Sequence, residues 1–169
     1  MIIGSVYIAT GLDNCENHQL LKSELEEFGI EVTFDWVKAG AVDQDNDSPL
    51  IERAHDDING VIKADVLIVL HPGNPPTYTS SGRGMHTELG AALATETPVL
   101  LVSPTGFGDL KDPKATQAKC VFYYHRLVTR LRATPDNYDD VAYAVKCMIE
   151  SLGSFQRMVD QYSEMDGAF

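Results

Sequence analysis

Two apolar runs constrain this chain more than anything else in it: Ala64-Asp65-Val66-Leu67-Ile68-Val69-Leu70 and Pro98-Val99-Leu100-Leu101-Val102. Each has the length and branched-residue content of a strand covered on both faces, the hallmark of parallel sheets lying between helices. Between them lies Gly82-Arg83-Gly84-Met85-His86-Thr87-Glu88-Leu89-Gly90-Ala91-Ala92-Leu93-Ala94, preceded by a Pro/Gly/Ser/Thr loop and ending as a helix of small residues. A strand–loop–helix–strand unit puts Glu88, a carboxylate near the start of that helix, at the carboxyl edge of the sheet. Folds of this kind bind their ligands there.

The flanking sequence extends the pattern. Ser5 to Ala9 reads as a first strand, followed by the loop Thr10-Gly11-Leu12-Asp13-Asn14 and a helix from Cys15 to Phe28. Leu20, Leu21, Leu25 and Phe28 form the apolar stripe of that helix, with Lys22, Ser23 and Glu26 on the wet side and Gly29 as the stop. Ile30 to Trp36 alternates like a half-covered edge strand. Ser48, as N-cap, and Pro49 open a second helix that runs to about Lys63. Its buried stripe is Ile58, Val61 and Ile62, with Asp57 at the stripe's edge and Asp56 turned to water. A fifth strand is expected over Cys120-Val121-Phe122-Tyr123-Tyr124. The last helix is expected from about Asp136 to Ser154 and on toward Met165, with Val141, Ala144, Val145, Met148, Ile149 and Leu152 inward. The fold class is therefore α/β: a single-domain, flavodoxin-like or Rossmann-like, doubly wound five-stranded parallel sheet in the order 2-1-3-4-5, with one domain over residues 1–169. Strands one and three are then neighbours, so Tyr7, the 71–84 loop and Glu88 converge on one cleft.

Composition removes several function classes. A net charge of −12 and a pI of 4.6 oppose binding to nucleic-acid polymers. The basic cluster His125-Arg126-Leu127-Val128-Thr129-Arg130-Leu131-Arg132 is short and amphipathic, and reads as local charge balance. A small substrate with no phosphate or one is compatible with this charge. No apolar run approaches the roughly 20 residues that span a bilayer, so no membrane partner is expected. The N-terminus enters a strand pattern directly, without the features of a signal peptide. Three cysteines, Cys15, Cys120 and Cys147, without paired spacing suit a reducing, cytoplasmic location. Asp43, Asp45 and Asp47 alternate like the start of a calcium loop. Ser48 stands where the turn glycine belongs, however, and Ala54 where the bidentate Glu belongs. The five histidines are scattered singly. Gly11 alone follows the first strand, and Gly82-x-Gly84 ends in Thr87, so a dinucleotide fingerprint is missing, as are a phosphate-binding P-loop and a nucleophile elbow. No cofactor and no metal are expected.

Glu88 has two readings. The positive end of a helix dipole favours a carboxylate at a helix start for structural reasons alone. Against that, Gly84, Gly90, Ala91 and Ala92 leave room for a close approach, and the preceding loop is long for a plain connection. The sequence around it decides. Val6-Tyr7-Ile8-Ala9, then Asp57-Ile58-Asn59-Gly60-Val61 with Ala64-Asp65-Val66-Leu67, and Gly84-Met85-His86-Thr87-Glu88-Leu89-Gly90-Ala91-Ala92-Leu93 together resemble the nucleoside 2-deoxyribosyltransferase family and its nucleotide N-glycosidase relatives. The resemblance covers most of residues 5–103. It implies that Glu88 is the nucleophile, that Tyr7 supports it, and that Asp57 acts near the base or the sugar. The position about six residues before the nucleophile, often Asp or Ser in that family, is Gly82 here. Candidate substrate-binding residues are Thr10, Gly11, Ser80, Ser81, Gly82, Arg83, Gly84 and Met85. Phe122, Tyr123 and Tyr124 lie roughly where a neighbouring subunit contributes in the family.

The activity so implied is cleavage of the N-glycosidic bond of a nucleoside through a glycosyl-Glu88 ester, with transfer of the sugar to another base. Hydrolysis of a nucleoside 5′-monophosphate and non-catalytic nucleotide sensing are the alternatives; the intact Tyr7, Asp57 and Glu88 set opposes the last. The partners implied are a small-molecule nucleoside or nucleotide, a free base and, by resemblance, further copies of the chain in a homo-oligomer.

Overall fold

The computed structural model describes residues 2–43, 45–71, 83–104 and 121–166, the side chains of Arg83, Val121 and 156–166 excepted. Five strands pair in parallel in the order β2-β1-β3-β4-β5. They are β1 (Gly4–Ala9), β2 (Ile30–Val32), β3 (Val66–Leu70), β4 (Val99–Ser103) and β5 (Val128–Arg132). The helices are α1 (Cys15–Glu27), α2 (Trp36–Ala39), α3 (Asp47–Lys63), α4 (Arg83–Ala94) and α5 (Tyr138–Asp166). Every residue of β3 and β4 is buried, as runs covered on both faces require. The strand period of two divides the core into two layers. Val6, Ile8, Ile68 and Leu100 pack with Leu21 and Leu25 of α1 and Val141 and Val145 of α5. Tyr7, Ala9, Leu67 and Val69 face the other way and pack with Val61 of α3 and Leu89 of α4. Among the described residues no helix is long and apolar enough to cross a membrane.

The chain departs from the alternation pattern after Val32. Thr33 N still donates to the Val6 carbonyl at 2.8 Å, as a strand residue does. Asp35 then turns the chain by accepting from Lys38 N at 3.0 Å, and Trp36 begins α2 instead of closing β2. The Ile8 carbonyl, which the next strand residue would have served, takes its hydrogen bond from Trp36 Nε1 at 3.0 Å. A side chain thus completes the ladder, and the short edge strand presents little backbone for unwanted pairing. Trp36→Phe keeps most of the buried area and removes the donor. The expected cost is about 1–3 kcal/mol, from an unpartnered buried carbonyl; a urea midpoint equal to wild type would show that Ile8 does not depend on the indole.

Strand five also lies elsewhere than expected. Val121–Tyr124 is a turn of 3-10 helix, and β5 is Val128–Arg132, inside the basic cluster. An edge strand needs backbone pairing on one side only, so it tolerates Arg130 and Arg132 where a central strand would not. Arg130 lies over the Tyr124 ring, 4.7 Å from its centroid, and Arg126 pairs with Glu96 at 3.3 Å.

Smaller corrections have similar causes. Leu20 of α1 is exposed, and the buried line runs instead through His18, Leu21 and Leu25, with His18 packed edge-on against Trp36. Burial pushes the His18 imidazole down to about 4 and so keeps it neutral. Lys22, expected on the wet side, pairs with Asp35 at 2.9 Å. Ile62 and Leu152 point to solvent. Asn46, not Ser48, caps α3, its side chain accepting from Ser48 N at 3.1 Å.

Candidate active site

Tyr7, in the middle of β1, is fully buried on the α3–α4 side of the sheet. Its register neighbour in β3 is Leu67, so the phenol rises between the two helices that cross over that face. Glu88 stands on α4 and is 8% exposed; Asp57 stands on α3, half-buried. The Tyr7 hydroxyl lies 2.7 Å from Glu88 Oε1 and 3.1 Å from Asp57 Oδ1. Three residues far apart in sequence therefore meet through one oxygen.

The environment sets their charge. Burial, opposed by the Tyr7 hydrogen bond and reinforced by the nearby Asp57, pushes the Glu88 carboxyl up to about 7. Burial likewise raises Asp57, against the Tyr7 hydrogen bond and the positive charge of Arg53, which lower it. The Tyr7 phenol is raised well above its ordinary value, first by burial and then by the two carboxyls, so it stays protonated. The dipole of α4 does not decide the matter: Glu88 is in the second turn of the described helix, beyond the first turn where the dipole acts strongly. A phenol has one proton to give. When Tyr7 donates to an ionised Glu88, its contact with Asp57 is completed by a proton on Asp57.

The remaining sequence candidates fall into three groups. Thr10 donates to the Leu70 carbonyl at 2.7 Å and accepts from Asn14 Nδ2 at 2.9 Å. It thereby ties the end of β1 to the end of β3, and its hydroxyl is engaged within the protein. Gly11 is buried beside it. Gly84 is exposed on the first turn of α4, and Met85 is packed into the core below that turn. Ser80, Ser81 and Gly82 lie outside the described residues, as does the side chain of Arg83.

No family model and no curated protein matches the chain. Solved structures do match it. A conserved protein from Enterococcus faecalis V583 aligns at a TM-score of 0.50 with 15% identity, over 88% of this chain and 98% of that one. That likeness is one of fold. The CMP N-glycosidase of Clostridium botulinum aligns at a TM-score of 0.48 with 18% identity, over 80% of this chain and 95% of that one.

The fold also assembles histidines that stand singly in the sequence. His71 directly follows β3, and its ring meets Tyr123 edge-on at 6.2 Å. His86, in the first turns of α4, stacks near the same Tyr123 at 6.1 Å, with Nε2 3.4 Å from the phenol oxygen. Burial, then the neighbouring His86, lowers the His71 imidazole. The available signal was positional: a strand end and a following helix start share the same sheet edge. Arg53, one turn before Asp57, lies over the Phe34 ring at 5.7 Å. Among the described residues no three His, Cys, Asp or Glu side chains are grouped to hold a metal ion.

Proposed function

We propose that the protein cleaves the N-glycosidic bond of a small nucleoside or nucleotide by double displacement, with Glu88 as nucleophile and Asp57 as acid. The observation that carries this is the Tyr7 hydroxyl within hydrogen-bond distance of both carboxyls, at 2.7 and 3.1 Å. It supports a carboxyl pair, Glu88 buried and Asp57 half-buried, that holds one proton between its members, with Tyr7 as the group through which that proton changes sides. In the productive form Glu88 is ionised, Tyr7 donates to it, and Asp57 carries the proton.

As the C1′–nitrogen bond breaks, its electron pair goes to the base and the sugar gains oxocarbenium character. Asp57 gives its proton to the departing nitrogen, and a Glu88 oxygen forms the ester to C1′. In the second half an acceptor attacks C1′, gives its proton back to Asp57, and frees Glu88. A free base as acceptor makes the enzyme a deoxyribosyltransferase, the reading the family resemblance favours; water as acceptor makes it an N-glycosidase.

Incubation with deoxynucleosides, ribonucleosides and their monophosphates, with and without free adenine, tests the proposal. Base exchange is expected from a transferase and base release from a hydrolase. Tight binding without either product would establish a sensor and overturn the enzyme reading. The pH profile tests the division of roles. If Asp57 is the acid, kcat/KM requires the singly protonated pair and is bell-shaped, falling as pH rises through about 7 where the pair loses its last proton. If Asp57 only holds a sugar hydroxyl, activity instead climbs through about 7 and stays high.

A further inference from the structure

Glycine is a poor helix former, and one inside a helix calls for a packing reason. Gly60 lies in α3, one turn after Asp57, with no left-handed backbone to explain it. The reason is proximity. A Cβ at this position would stand 2.7 and 2.9 Å from Tyr7 Cδ2 and Cε2, and 3.0 Å from Phe34 Cβ. Carbon atoms do not approach so closely, so α3 lies against the Tyr7 ring at a distance open only to glycine. The same residue is also held through its carbonyl. Thr33 Oγ1 donates to the Gly60 carbonyl at 2.8 Å and lies 3.2 Å from the Val6 carbonyl of β1. Gly60 offers the first of the four carbonyls that a helix ending at Lys63 leaves without a helical partner. Thr33 satisfies it and pins the last turn of α3 to the sheet.

We infer that Gly60 is a positioning residue: its missing side chain, with the Thr33 clasp, sets the separation between α3 and Tyr7 at which Asp57 meets the Tyr7 hydroxyl. Its consequence for catalysis rests on the function proposed above; the geometric claim does not. A methyl group at position 60 forces α3 away from the ring. That lengthens the Asp57–Tyr7 contact and leaves the Tyr7–Glu88 contact on α4 in place.

The test is Gly60→Ala, read in two ways on the full chain, with circular dichroism as the check on folding. Without any substrate, carbon-13 NMR of labelled aspartate side chains follows the Asp57 titration, assigned with Asp57→Asn. The Tyr7 hydroxyl is a polar partner of the Asp57 carboxyl at 3.1 Å, so lengthening that contact shifts the Asp57 midpoint away from its wild-type value. With substrate, kcat falls tenfold or more, KM stays within about twofold, and the alkaline limb of the pH profile moves with the Asp57 midpoint. Thr33→Val releases the clasp without adding bulk and shifts the same quantities in the same direction. It serves as the deciding variant if Gly60→Ala does not fold. A shifted Asp57 midpoint in a protein whose wild type cleaves no nucleoside would uphold the positioning role and defeat the proposed function. A folded variant with the wild-type midpoint would overturn the positioning role, whatever the activity.

Discussion

Glu88→Gln is expected to lower kcat by at least about 1000-fold, roughly 4 kcal/mol of transition-state stabilisation at 1.36 kcal/mol per tenfold. Gln is the informative substitution because it keeps the length of the side chain and an acceptor oxygen for the Tyr7 hydroxyl, which stands 2.7 Å from Glu88 Oε1. It withdraws only the negative charge and the nucleophilic oxygen. A nucleoside carrying fluorine at C2′ provides the direct view. Fluorine destabilises the oxocarbenium-like transition state, and with a good leaving group the ester accumulates. Intact-protein mass spectrometry should then show wild type heavier by one fluorosugar and Glu88→Gln unchanged. An adduct that forms equally on Glu88→Gln would remove Glu88 as nucleophile. So would turnover by wild type of this slow substrate with no adduct at any time point.

The meeting of Tyr7 and Glu88 was readable because it follows from topology. Two fully buried runs, Val66–Leu70 and Val99–Ser103, fix a parallel sheet, and the order 2-1-3-4-5 places β1 beside β3. A residue of β1 and one on the helix after β3 are then neighbours before any side chain is placed. What stayed hidden depends on single hydrogen bonds or on the absence of a side chain. Nothing in the alternation of residues 30–36 says that Trp36 Nε1 will take over the Ile8 carbonyl. Nothing in the composition of β5, with its two arginines, marks it as a strand, because an edge position relaxes the apolar requirement. Nothing beside His18 in the sequence says that Trp36 will pack against it. A place near a helix start favours the ionised form of Glu88. Burial proved the larger effect, and burial is a property of the assembled layers that no local window contains.

Burial also makes Glu88 a stability liability of predictable sign. Its carboxyl titrates near 7 in the folded protein against an ordinary value of 4.5. Between those two pH values the folded chain holds a proton that the unfolded chain has released, so stability falls as pH rises through the window. The direction is opposite to that of a salt-bridged carboxylate. The shift corresponds to about 3 kcal/mol at 1.36 kcal/mol per pH unit, fully expressed above the folded value and absent below the unfolded one. Glu88→Gln has no charge to bury. At pH 8.5 it should unfold with about 2–3 kcal/mol more stability than wild type, or a Tm higher by roughly 5–10 °C for a chain of this size. At pH 4 the two proteins should differ little. Denaturant titrations at the two pH values give the comparison. A difference that does not change with pH would mean that Glu88 titrates normally and that water reaches it. A gain confined to high pH would show a carboxylate kept where folding alone disfavours it, as expected of a group retained for reaction and not for structure.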